Sequence, residues 1–184
     1  MNIELNENFK GKCLVSMPSI GDDIFHQSVI YITEHSTISG AIGVIINKSL
    51  EEEQKILTDF EFQHYPKQWR NIPTNLGGPV KLGSGFLLHL SSDDSKLTLT
   101  GSQQKIRQLA REEQVTPLML TAGFCLWETL QLEREVRFNN WLVLDDSARH
   151  LLSVTDPKQR YAEALRLAGI TNLATFDFSG AGNA

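Results

Sequence analysis

The amino-acid sequence predicts one α+β domain, and three observations predict it. With 184 residues and 41% apolar content, the chain can bury a sizeable core without metal or disulfide staples, yet stays within the one-domain range. Two β-rich runs, Val29 to Ile32 and Val44 to Ile46, are joined through a loop of hairpin length, His35 to Gly40. Segments with helical spacing of apolar residues and further short strands then alternate along the rest of the chain. No internal repeat, low-complexity tract or linker divides residues 1–184.

Element by element, Lys12 to Met17 reads as a short strand closed by Pro18 and the turn-prone Gly21, Asp22 and Asp23. The runs at Val29 and Val44 are almost continuously apolar, which places them at the centre of a sheet covered on both faces. Glu51 to Phe62 reads as a helix, acidic at its start and apolar at Ile56, Leu57 and Phe60. Phe86 to His89 and the alternating Leu97 and Leu99 predict two more strands. Ser102 is placed to cap a helix bearing Ile106, Leu109 and Ala110 on one side. A strand over Leu118 to Phe124 leads to a helix near Glu128 to Arg137, where Glu133 and Arg137 have i,i+4 spacing. Trp141 to Leu144 is the last strand. Asp156 and Pro157 start a helix with Tyr161, Ala164, Leu165 and Ala168 on one face, ended by Gly169. The small, polar tail from Ser179 is expected to be mobile.

Charge and composition narrow the function classes. Met1 to Lys12 lacks the basic and apolar regions of a signal peptide, and no apolar run approaches the roughly 20 residues of a membrane span. The expectation is a cytoplasmic protein with no membrane partner. Cys13 and Cys125 have no CxxC or Cys/His ligand spacing and read as reduced, buried thiols. Cys125 also stands where a strand gives way to a helix, and a helix N-terminus can activate a thiol; burial does the opposite. A net charge of −5 with scattered Lys and Arg disfavours direct nucleic-acid binding, which calls for a basic face.

Three groups of residues could carry chemistry. Gly77, Gly78 and Pro79, with Gly83 and Gly85 beyond, could present backbone N–H groups to an anion, or could serve a close backbone approach between strands. The order is not that of a phosphate-binding GxxxxGK[ST] loop. Glu34, His35 and His89 could form an acid/base group, or be hydrogen-bonded structural residues at strand ends. No HExxH or other paired His spacing points to a metal, and no cofactor signature is present. Gln131, Glu133 and Glu135 form a polar helix near Trp141, readable as a pocket rim or as an exposed face with Trp127 and Trp141 packed beneath it.

Four blocks, in order, resemble the YqgE/AlgH family of bacterial proteins. They are Met17-Pro18-Ser19 through Phe25, Ser28, Val29 and Tyr31 to Glu34 and His35; Gly40 to Gly43 running into Ile46, Asn47 and Lys48; Gly77 to Val80 with Gly85, Phe86, Leu88 and His89; and Trp127, Gln131, Leu132, Glu133 and Glu135 with Asn140 to Leu142. The resemblance covers nearly the whole chain. It implies a mixed sheet, bifurcated and curled into a pseudo-barrel, flanked by helices. Members are described as of unknown function or as candidate transcriptional regulators. The chain departs from the family pattern at Thr33, where many members have Cys, at Ser84, where an Arg is common, and at Leu126 and Leu130, where small residues stand. The loss of that Arg removes an anion-binding group. Together these features point to a noncatalytic regulatory or interaction protein with a protein or small-molecule partner. The alternative is a ligand binder or enzyme using a pocket near the glycine turn.

Overall fold

The computed structural model describes residues 7–50, 66–91, 96–111 and 115–170. The helix expected at Glu51 to Phe62 and the tail from Ser179 lie outside them. The described strands are β1 (Cys13–Ser16), β2 (Val29–Ser36), β3 (Gly40–Ile45), β4 (Thr74–Leu76), β5 (Val80–Ser91), β6 (Leu97–Thr100), β7 (Val115–Trp127) and β8 (Trp141–Leu144). The helices are α1 (Lys67–Arg70), α2 (Gln103–Arg111), α3 (Gln131–Arg137), α4 (Ala148–Ser153) and α5 (Arg160–Leu167), the last preceded by a 3₁₀ turn at Pro157–Gln159. The architecture is α+β.

The strands lie in the order β6-β5-β7-β3-β2-β1-β8, every neighbour antiparallel, with β4 added in parallel to β7. Among the described residues the end strands β6 and β8 do not pair, so the sheet is not closed into a barrel. Its fork is β7, whose residues Leu120 to Ala122 pair with β4 and whose Cys125 to Trp127 pair with β3. Between those stretches sits Gly123, with a φ of +70°. A Cβ there would come within 2.4 Å of the Gly78 carbonyl oxygen, and one on Gly77 within 2.2 Å of the Gly123 oxygen. Glycine at these positions lets the turn and the strand touch backbone to backbone.

Three apolar cores explain the continuous apolar runs. Alternate β2 residues point to opposite faces: Val29 and Tyr31 join a core with α4 and α5, while Ile30 and Ile32 join a second core with Leu132 and Val136 of α3. A third core lies under α2, around Trp69, Leu87, Ile106 and Leu120. Leu97 and Leu99 of β6 pack against the same core as Tyr31, although β5, β7 and β3 separate β6 from β2 in the sheet. The sheet curls enough for β2 and β6 to approach each other. Arg160 at the start of α5 is buried, and its guanidinium donates to the carbonyls of Ile46, Val154 and Leu152, which ties the helix to the end of β3.

Some boundaries differ from the sequence reading for local reasons. The strand expected to end at Phe124 continues to Trp127, so Cys125 lies in mid-strand rather than at a helix start. The helix expected from Glu128 begins at Gln131, because Leu130 takes a left-handed φ of 59°. Glu133 does not pair with Arg137 but turns inward. Asp156 accepts from the Lys158 N–H as a cap, but of the 3₁₀ turn, and α5 follows at Arg160.

Candidate functional site

A β-bulge in β2 determines what the neighbouring residues Glu34 and His35 do. Ile32 pairs with Gly43 and Glu34 with Ile42, so Thr33 is the extra residue of the bulge. Without it, strict alternation would place Glu34 beside Ile32 on the α3 face. With it, Thr33 and Glu34 both turn to the opposite face and His35 turns to α3.

On the α3 face the polar groups are paired with one another. His35 and Glu133 have almost completely buried side chains, and His35 Nε2 lies 3.1 Å from Glu133 Oε1. The Phe9 backbone N–H donates to His35 Nδ1 at 3.3 Å, which leaves Nε2 to carry the proton donated to Glu133. The Phe9 ring meets the imidazole edge to face at 4.9 Å. One oxygen of Glu135 accepts from both buried indoles, Trp127 Nε1 at 2.9 Å and Trp141 Nε1 at 2.8 Å. Its other oxygen accepts from Gln131 Nε2 at 2.8 Å, and Gln131 Oε1 accepts from the Glu128 N–H. The arrangement ties α3 to β7, β8 and the N-terminal segment, and the hydrogen-bonding groups of His35, Glu133, Glu135 and Gln131 are engaged with one another and with the indoles and backbone around them.

The other sequence-singled residues are dispersed. The Gly77 N–H donates to the Ala122 carbonyl and the Gly77 carbonyl accepts from Ile45 N–H and Cys125 Sγ, so this part of the turn is engaged with the sheet. Pro79 follows as the chain enters β5. Asn47 Oδ1 accepts from the Val29 N–H at 2.7 Å and Asn47 Nδ2 donates to the Gln27 carbonyl, which pins the start of β2. His89 is buried on β5 against Thr100 Oγ1 at 3.1 Å, and burial pushes its imidazole below the usual value. Its Nδ1 has no hydrogen-bond partner among the described residues. Burial pushes the Cys13 thiol up to about 12 and raises Cys125 as well, which disfavours thiolate formation at both. Ser84 is exposed on β5, and among the described residues no group of His, Cys, Asp and Glu gathers as a metal site.

An apolar open feature among the described residues is a groove where the curled sheet brings β2 and β3 opposite β5, β6 and β7. A cavity of about 270 Å³ there has Ile42, Phe86, Leu97, Leu99 and Phe124 as its apolar lining, with Thr33, Glu34 and Lys10 beside them. An adjoining cavity of about 430 Å³ shares Lys10, Lys96 and Leu97 and reaches Tyr31, Asp146 and Arg149. Of the residues singled out from sequence as a site, Glu34 alone lines the first cavity; Asn47 lines a separate one with His26, Lys48 and Tyr161. Sequence reasoning missed the groove because its walls are five strands far apart in the chain. The half-buried alternation of Leu97 and Leu99 was the available signal, and the face it would open onto was not.

Comparison with known proteins places this geometry in a family. The AlgH-like profile, DUF179, matches residues 13–173. The chain belongs to the AlgH-like family. It is 31% identical to a UPF0301 protein of Neisseria meningitidis serogroup B, over 96% of this chain and 100% of that protein. It is also 31% identical to the UPF0301 protein YqgE of Escherichia coli, over 89% of this chain and 93% of the relative. The solution structure of AlgH from Pseudomonas aeruginosa superposes with a TM-score of 0.65 at 27% identity, covering both chains completely. A protein of Corynebacterium diphtheriae shares the fold at a TM-score of 0.59 and 19% identity, over 89% of each chain. The names of these relatives state no activity, and the family's biochemical function is unknown. Among the described residues no helix is long and apolar enough to cross a membrane.

Proposed function

We propose that this AlgH-like protein is a noncatalytic, cytoplasmic binding protein that acts in regulation through a partner or small molecule, with the groove as its binding face. One contrast carries the reading. The imidazoles of His35 and His89, the carboxylates of Glu133 and Glu135 and both thiols are buried or tied into structural hydrogen bonds, whereas the groove gathers partly exposed apolar side chains around a cavity with charged residues, Glu34 among them, at its rim. The approach of β6 to β2 supports the pseudo-barrel curl that the family resemblance implies, and the groove is the gap that this curl leaves. The net charge of −5 weighs against a phosphate-backbone partner.

A thermal-shift screen of metabolites on the wild type and on Ile42→Trp, which fills the groove, tests the reading. A ligand at 100-fold excess over its Kd stabilises by roughly 2.7 kcal/mol. The expected hit stabilises the wild type, leaves Ile42→Trp unmoved and is recovered chemically unchanged by mass spectrometry. Equal stabilisation of Ile42→Trp would remove the groove as the site, and conversion of the hit to product would make the protein an enzyme.

A further inference from the structure

We infer that β8 is the seat of a symmetric self-association, in which a second copy of this chain adds its own β8 antiparallel to the open edge of the first. Of the two ends of the sheet, β6 is approached by β2 across the curl, whereas β8 has a strand only on its β1 side among the described residues. The register fixes which groups face outward. The Met17 N–H donates to the Asn140 carbonyl at 2.9 Å, so Met17 and Asn140 form a hydrogen-bonded pair. Alternation then makes Ser16 with Trp141, and Leu14 with Val143, non-hydrogen-bonded pairs, so the backbone N–H and C=O groups of Trp141 and Val143 point away from β1. The Ser16 N–H donating to the Ser28 carbonyl on the other side of β1 agrees with this phase. Among the described residues no hydrogen bond takes up these outward groups. Natural sheet edges are commonly guarded by charges, proline or bulges. The strand Trp141-Leu142-Val143-Leu144 carries none of these, and Phe138, just ahead of it at the end of α3, is 75% exposed.

The second copy as occupant follows from self-complementarity. Pairing Trp141 of one copy with Val143 of the other, in both directions, satisfies every outward group and puts the two-fold axis between the two Leu142 residues. Opposed residues then share a face: Trp141 and Val143 continue the core beneath α3, and Leu142 meets its own copy on the side of α4 and α5. The charges at the strand ends agree with this direction. The exposed Arg137 precedes β8 and the exposed Asp145 and Asp146 follow it, so antiparallel pairing brings Arg137 of each copy toward the acidic turn of the other. Parallel pairing would set the two acidic turns together. The strand is already held in place, because the Trp141 indole donates to Glu135 and meets Phe25 and Trp127 edge to face at 5.9 and 6.1 Å. Pairing therefore orders little that is not ordered beforehand. It also uses up both β8 edges, which closes the assembly at two copies instead of leaving an open fibre. Neither β1 nor β8 lines the apolar cavity of the groove, so this inference and the groove reading stand or fall separately.

Sedimentation equilibrium of the full-length protein from micromolar to millimolar concentration, with ¹⁵N spectra recorded alongside, tests the inference. The expected result is a reversible monomer–dimer equilibrium in which the Trp141 and Val143 amides shift with concentration. Val143→Pro should abolish it, because proline removes an N–H that the monomer does not use in its sheet. Where that variant unfolds, Arg137→Glu, at an exposed side chain, should weaken the dimer about fivefold by turning two exposed attractions into repulsions. Leu142→Cys reads the register. Facing Cβ atoms in a non-hydrogen-bonded pair lie about 4.5–5.5 Å apart, so oxidation should link two copies through this position. Ile38→Cys, 86% exposed beyond the end of β2, should not link them, and the native Cys13 and Cys125 are buried. A protein that stays monomeric at millimolar concentration would overturn the inference. So would a dimer that leaves the Trp141 and Val143 amides unshifted and survives both Val143→Pro and Arg137→Glu. Cross-linking of Leu142→Cys no faster than that of Ile38→Cys would overturn the antiparallel pairing about Leu142.

Discussion

The two sides of β2 are built on opposite plans. Toward α3, every singled-out polar side chain has a partner inside the protein: His35 with Glu133 and Phe9, Glu135 with two indoles and Gln131. Toward the groove, aromatic and aliphatic side chains stay partly exposed, and the charges at the rim reach solvent. A closed hydrogen-bond network rigidifies a fold and has no capacity left for a ligand, whereas unfilled apolar concavity is capacity with little effect on stability. Of the Glu34, His35 and His89 group, His35 is therefore tied into hydrogen bonds while Glu34 stands at the open groove.

Substitutions should break this contrast in a definite order. Glu135→Leu should be the most damaging, about 3–5 kcal/mol, because it strands two buried indole N–H groups at once. Urea unfolding followed by tryptophan fluorescence measures it, and Glu135→Gln, which keeps an acceptor, should lose less. His35→Phe should cost about 3 kcal/mol by leaving a buried carboxylate without its donor, and adding Glu133→Leu should recover at least 1 kcal/mol in a double-mutant cycle. Additive losses would mean that the pair is not coupled. On the groove side, Phe86→Ala should cost only about 1–2 kcal/mol, since its ring is already partly exposed. The smallest effect lies away from both faces. Hydrogen bonds from Arg166 first and then His150 hold the Glu163 carboxyl at about 2, below its ordinary 4.5. A depressed carboxyl stabilises above its unfolded value and loses that contribution as pH falls toward the folded one. Glu163→Gln should therefore flatten the melting-temperature profile between about pH 4.5 and 2 and leave the fall at lower pH unchanged.

Much of the fold was legible where the pattern was strong. Continuous apolar runs marked β2 and β3 as doubly covered, and the last helix showed its face at Tyr161, Ala164 and Leu165. The three-residue β4 and the six-residue α4, which buries only Ala148 and Leu151, are too short to carry a period. The site was less legible for a different reason. Which of Glu34 and His35 faces α3 depends on one extra residue in β2 relative to β3, and a bulge belongs to the pairing of two strands rather than to either alone. The glycines at Gly77 and Gly78 announced a special backbone, but only the position of Gly123 opposite them tells a close approach from an anion cradle.

The most direct test compares, by calorimetry, the affinity for the stabilising hit of the metabolite screen in two proteins: the double variant His35→Phe with Glu133→Leu, and Ile42→Trp. The account predicts that the double variant binds within about twofold of wild type, because the two faces act independently, and that Ile42→Trp loses binding. Binding lost in the double variant and kept in Ile42→Trp would contradict it, and would return the function to the α3 face.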